Sequence, residues 1–122
     1  MIWAKIASVF MFFGVVLGAF GSHALKAKLS DYSLDVYKTA VMYHFIHALG
    51  LFIVAWLSMT VADPKINIAG IFMVIGIILF SGSLYALALT GHKWLGAIAP
   101  LGGVSFLIAW SLLIFVRDYL GK

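Results

Sequence analysis

Four long apolar stretches, each bounded by charge, constrain this chain more than any other feature. Ile6 to Leu25 lies between Lys5 and Lys26, a run of 20 residues without a charge. Thr39 to Ala62, Ile66 to His92 and Trp94 to Val116 are runs of 24, 27 and 23. The hydrocarbon core of a bilayer is about 30 Å thick, which about 20 helical residues cross. Lipid supplies no hydrogen bonds, so irregular backbone and open sheet edges cannot face it. The expected fold is therefore all-α: an integral membrane bundle of four helices over about 4–25, 33–60, 66–90 and 94–118, forming one domain over 1–122. The connections are short, so neighbouring helices run antiparallel, up-down-up-down.

Composition agrees. Only 10% of the residues are charged and 65% are hydrophobic, against roughly a quarter and a half in soluble domains. A soluble monomer and a disordered chain are both excluded. The absence of cysteine removes disulfides, thiolate nucleophiles and Cys-ligated metals. The net charge is +4, from 8 Lys/Arg against 4 Asp with no Glu. In so apolar a chain this basic balance points to the membrane surface and not to nucleic acid. Lys5, Lys65, Arg117 and Lys122 fall on one side of the bundle, and Lys26, Lys28, Lys38 and Lys93 on the other. Four against four gives no orientation.

Local signals set the span ends. Ser30-Asp31 and Ser33 offer N-cap oxygens, with a second-helix start expected near Ser33. Asp63-Pro64 ends that helix, because the residue before proline avoids helical geometry. Thr90-Gly91-His92-Lys93 separates the third and fourth helices, and Pro100 either kinks the fourth or marks its true start. Lys5 before the first stretch and the small residues at Ala19 and Gly21 also permit a secretory-signal reading, but the run is long for one. A possible duplication at an offset of 62 pairs Gly14–Leu17 with Gly76–Leu79.

Small residues are the first candidate functional feature. Gly14, Gly18 and Ser22, with Gly21 beside them, then Gly82 between Ser81 and Ser83, and Gly102-Gly103 are expected at helix contacts. Apolar helices in lipid associate through close backbone approach. Histidine is the second. His44 and His47 are three residues apart on the second helix, His23 ends the first, and His92 lies in the last connection. Intramembrane ionisable groups default to functional candidates, but one pair of histidines with no third ligand favours hydrogen bonding over metal or haem. A polar cluster of His23, Tyr43 and His47 is expected to face the bundle without metal, His23 and His47 being offset by about two turns in depth. No phosphate-binding loop, paired carboxylates or mid-membrane acid occurs. Trp3, Trp56, Trp94 and Trp110, with Tyr32, Tyr37 and Tyr119, read as an interfacial aromatic belt.

Gly18-Ala-Phe-Gly-Ser-His-Ala-Leu25, the Thr39-Ala40, Tyr43 and His47-Ala-Leu49 pattern, Phe80-Ser-Gly-Ser-Leu-Tyr85, and Leu95-Gly-Ala-Ile-Ala-Pro-Leu-Gly-Gly103 together carry a resemblance. The chain is similar to small bacterial inner-membrane proteins grouped as an uncharacterised family and a domain of unknown function, with distant eukaryotic transmembrane relatives. The resemblance spans about residues 5–116 and implies a multi-pass protein of the bacterial inner membrane, with no accepted activity. Two positions depart: His44 stands where the family usually has Gln, and Ala99 where Thr often precedes the proline. His23 and His47 match.

Three functions compete. The first is a non-enzymatic bundle, without cofactor, that packs as a homo-oligomer or with a larger membrane complex. The second binds a small molecule or cofactor, such as haem, metal or quinone, through His23, Tyr43, His47 and Tyr85. The third is a transporter or channel subunit, for which four helices require oligomerisation.

Overall fold

The computed structural model describes residues 1–117. Four membrane-length helical spans cover Ile2–Leu25, Asp31–Thr60, Pro64–Thr90 and Lys93–Ile114. Span 1 is α1 (Ile2–Phe20), which ends in a π-turn over Gly21–Leu25. Span 2 is the uninterrupted α2 (Asp31–Thr60). Span 3 is α3 (Pro64–Gly76), a π-turn over Ile77–Ser81, and α4 (Gly82–Thr90). Span 4 begins with a 3-10 turn over Lys93–Ala97 and continues as α5 (Ala99–Ile114).

Each limit has a local cause. α2 starts two residues before the expected Ser33, because Ser30 is its cap and its hydroxyl accepts the Ser33 N–H at 3.1 Å. At 30 residues α2 is about 45 Å long. It exceeds the hydrocarbon thickness by about 15 Å, and Asp31, Tyr32, Asp35 and Lys38 on its first two turns are exposed. Asp63 caps α3, with Pro64 in the first turn, where its missing N–H costs nothing. Gly91 closes α4 at φ +75°, a left-handed conformation that glycine adopts without strain. Pro100 lies in the first turn of α5 and so marks a start, not a kink. The sequence placed the last helix to about residue 118; α5 ends at Ile114, and residue 118 lies outside the described residues.

α1 packs along α2, α5 packs along α3, and span 2 also lies against span 3. Spans 2 and 3 are the interior pair, with 44% and 39% of their central residues buried; spans 1 and 4 flank them with 17% and 28%. The core is centred on Ala7, Leu51, Val54, Ile66, Ala69, Met73, Ile77, Phe106 and Ala109. Met1, the α2–α3 connection and Arg117 share one end of the bundle, the terminal face. The 26–30 connection and residues 91–93 share the opposite end, the loop face. Under the offset of 62, the π-turn of span 1 would correspond to 83–87. That stretch is regular α-helix, so the backbone does not carry the duplication.

Candidate functional site

The polar interior is built on α2. Residues three apart on a helix are separated by about 60° around its axis, enough for two histidines to face different neighbours. His44 turns to spans 1 and 3. Its Nε2 lies 2.7 Å from the Phe10 carbonyl and its Nδ1 2.9 Å from the Tyr85 hydroxyl. A carbonyl only accepts, so Nε2 carries the proton and donates, and Nδ1 of the neutral ring accepts from Tyr85. Phe10 sits on α1 and Tyr85 on α4, so one ring ties three spans. Tyr85 packs edge-on against Tyr37 at 5.2 Å between ring centroids, and the Tyr37 hydroxyl donates to the Leu17 carbonyl on α1.

His47 turns to span 4 and adopts the opposite tautomer. Its Nδ1 donates to its own helix at the Tyr43 carbonyl, 2.8 Å away, and its Nε2 accepts from the Trp110 indole N–H at 2.9 Å. The ring lies flat on Phe106, with centroids 3.4 Å apart and planes 8° apart. Neither histidine therefore offers a free lone pair.

The expected cluster of His23, Tyr43 and His47 is only half present. Tyr43 and His47 are together, although Tyr43 contributes its carbonyl to the bond. His23 is exposed on the loop face, on the π-turn that ends span 1. The hub is His44, which sequence reasoning set aside as a departure from the family pattern. The signal was available: a glutamine amide offers the same pair of functions, one donor and one acceptor. The aromatic belt also needs correction. Trp56, Trp94 and Tyr32 are exposed near span ends, but Tyr37 is buried and Trp110 is tied to His47. Trp3 bonds Asn67 at 2.8 Å. Tyr119 lies outside the described residues.

Small residues admit these contacts. At Gly14 a Cβ would lie 2.9 Å from the Phe45 ring and 3.5 Å from His44. At Gly21 it would collide with the Tyr37 ring, and at Gly102 with the backbone of Phe80. Gly18 lies near Val41 and Phe45, and Gly103 near the Phe80 ring. Ser22 and Gly82 do not belong to the set: both are exposed, and the neighbouring Ser81 faces inward instead. Its hydroxyl bonds the Ala40 carbonyl at 2.8 Å, as Ser105 bonds Phe72 at 2.6 Å. Sequence reasoning missed Gly70 against Trp3, Gly76 against Phe106, and Gly50 against Met73 and Trp110. Among the described residues, every buried side-chain nitrogen and oxygen has a partner.

The two ends of the bundle differ. On the terminal face Asp63 accepts the Lys65 N–H at 3.0 Å and the Arg117 N–H at 2.9 Å. Its carboxylate also lies 3.5 Å from the Lys65 ammonium. The two backbone N–H groups, Lys65's first and then Arg117's, hold its carboxyl below the usual carboxylate range. The loop face instead opens as a cleft of about 250 Å³ between the end of span 1 and the protruding start of α2.

Residues 17–103 match the family described as a protein of unknown function, DUF423, and the chain belongs to that family. It is 50% identical over 101 residues to the UPF0382 membrane protein YwdK of Bacillus subtilis, covering 82% of each chain. It is 47% identical to a UPF0382 membrane protein of Staphylococcus haemolyticus, covering 80% of this chain and 79% of the other. A Staphylococcus aureus relative is 50% identical, with the same coverage. No solved structure matches the chain. The protein is thus a small multi-pass membrane protein of an uncharacterised family. The matched stretch includes His44, Tyr85 and the loop-face cleft but stops short of Trp110.

Proposed function

We propose that the protein is a non-enzymatic membrane component that acts through its outer surface, as a homo-oligomer or as a subunit of a larger membrane complex. The observation that carries this reading is the saturation of the interior. Both ring nitrogens of His44 and of His47 are committed to protein partners. The buried serine hydroxyls are committed to carbonyls. The only buried carboxylate among the described residues, Asp63, is committed to the backbone N–H groups of Lys65 and Arg117. A site that handles a substrate, a proton or a coordinated ion needs groups with capacity left over. The cofactor reading loses most by this, since His23 is remote from His47 and His47 has no lone pair to give.

The perimeter offers what the interior does not. Span 1 leaves most of its surface uncovered. Gly82 interrupts the outward ridge of Ile71, Ile75 and Ile78 on span 3, where a helix can approach closely. The native chain has no cysteine, so single-cysteine variants are clean probes. Gly82→Cys and Val15→Cys are oxidised in native membranes and in dilute proteoliposomes, with the buried Ser105→Cys as control. One perimeter position is expected to give a covalent dimer or one discrete heavier species. A single protomer band at both positions in both settings, with one-step photobleaching of labelled protein, overturns the reading.

A further inference from the structure

The geometry points to the loop-face cleft as a binding site for one anionic phospholipid, whose phosphate is held by Lys26 and Lys38 and whose glycerol and upper acyl chain lie between spans 1 and 2. The site is independent of whether the bundle assembles.

Three features of the cleft agree. The first is its position. It lies where span 1 ends in its π-turn and α2 protrudes beyond the hydrocarbon thickness, which is the headgroup level of a bilayer. The second is its mixed lining. Along span 1 it is lined by Lys26, Ser22 and Gly18, and along α2 by Leu34, Lys38 and Val41. Along span 1 the lining runs about 12 Å from Lys26 to Gly18 at 1.5 Å per residue, and on α2 Lys38 stands between Leu34 and Val41, so cationic and apolar surface share the cleft. That is the profile of an amphiphile and not of a free anion. The third is charge. Both lysines are exposed, and among the described residues the one ion pair is Lys65–Asp63 on the opposite face. The other charged or titratable groups of the loop face are Lys28, Lys93, His23 and His92, with Asp31 and Asp35 on the first turns of α2. Neither acid is within ion-pair reach of Lys26 or Lys38.

The absence of a side chain at Gly21 admits the Tyr37 ring, which forms the back wall of the cleft. The tyrosine ring fills the space above Gly21, and its hydroxyl is anchored on the Leu17 carbonyl. The back wall is therefore built into the α1–α2 contact and does not depend on lipid to form.

The test compares lipid retention by the full chain. Protein in mild detergent is exchanged against equimolar phosphatidylglycerol and phosphatidylcholine, and bound lipid is counted by native mass spectrometry. Wild type is expected to retain one phosphatidylglycerol in preference. Lys26→Gln/Lys38→Gln should reduce that preference about thirty-fold, taking each lysine at the usual worth of a basic residue beside an anionic surface. Lys28→Gln/Lys93→Gln removes two charges from the same face outside the cleft and should cost no more than a few-fold. Equal losses in the two double variants would assign the effect to diffuse surface charge and overturn the site. Displacement of the lipid by millimolar inorganic phosphate or glycerol phosphate would make the ligand a soluble phosphate and overturn the lipid assignment. No preference in wild type would also refute it.

Discussion

Replacing His44 by leucine tests the interior network directly. Leucine keeps apolar bulk near that of the imidazole, so the change isolates two hydrogen bonds. The losses are unequal. The Phe10 carbonyl lies inside α1, where the helix ladder supplies its own donor, so losing the histidine N–H costs it little. The Tyr85 hydroxyl loses its acceptor, 2.9 Å away, in a site closed by Tyr37. An unpaired buried polar group costs about 1–3 kcal/mol, and single side-chain hydrogen bonds in membrane proteins fall near 0.6 with a maximum of about 1.7. The expected destabilisation is therefore about 1.5–2.5 kcal/mol. Tyr85→Phe leaves His44 Nδ1 unpaired and should cost about 1 kcal/mol. The double variant should be less destabilised than the sum by roughly 1 kcal/mol, since neither unpaired partner remains. His44→Gln should stay within about 0.5 kcal/mol of wild type, because the amide reproduces one donor and one acceptor. Unfolding in mixed micelles followed by circular dichroism gives all four values. The network is refuted if His44→Leu is neutral, if glutamine is as damaging as leucine, or if the two single effects add.

Two further outcomes follow from the ends of the bundle and its helix contacts. Gly21→Leu should destabilise by about 3 kcal/mol, the upper end of ordinary overpacking, because the new side chain must displace the Tyr37 ring; Gly82→Leu, facing outward, should leave the unfolding midpoint in detergent unchanged, and equal effects would contradict the assigned faces. Asp63 has its folded-state carboxyl pKa held below the ordinary 3.8, so its contribution is present above about pH 4 and is lost as pH falls through the lower folded value. Acid unfolding followed from pH 5 to pH 2 should show this loss in wild type and not in Asp63→Asn; identical profiles would remove the carboxylate from the α2–α3 junction.

How much of this was legible in the sequence depends on what each residue had to specify. The span limits were readable because proline and glycine act locally: Asp63-Pro64 and Gly91 each end a helix for reasons carried by the residue itself. Facing is different, because it depends on phase around an axis. Counting from Gly14 at 100° per residue, Gly21 returns to within about 20° of the same line, whereas Ser22 is turned away by about 80°. A ladder extended in steps of four thus drifts off the contact, and a glycine seven residues on stays on it. The run Ser81-Gly82-Ser83 covers about 200° of helix, so its three small residues could not all face inward, and the two serines took the interior with hydroxyls to satisfy. The histidines show the same limit. His23 and His47 could be matched by motif, but only the packing of span 3 against α2 places Tyr85 beside His44. The resemblance implies Gln at the position of His44 and so sets it apart, yet the imidazole offers what a glutamine amide would, one proton given and one accepted. A motif read by residue identity discards such a position; read by donor and acceptor, it retains it.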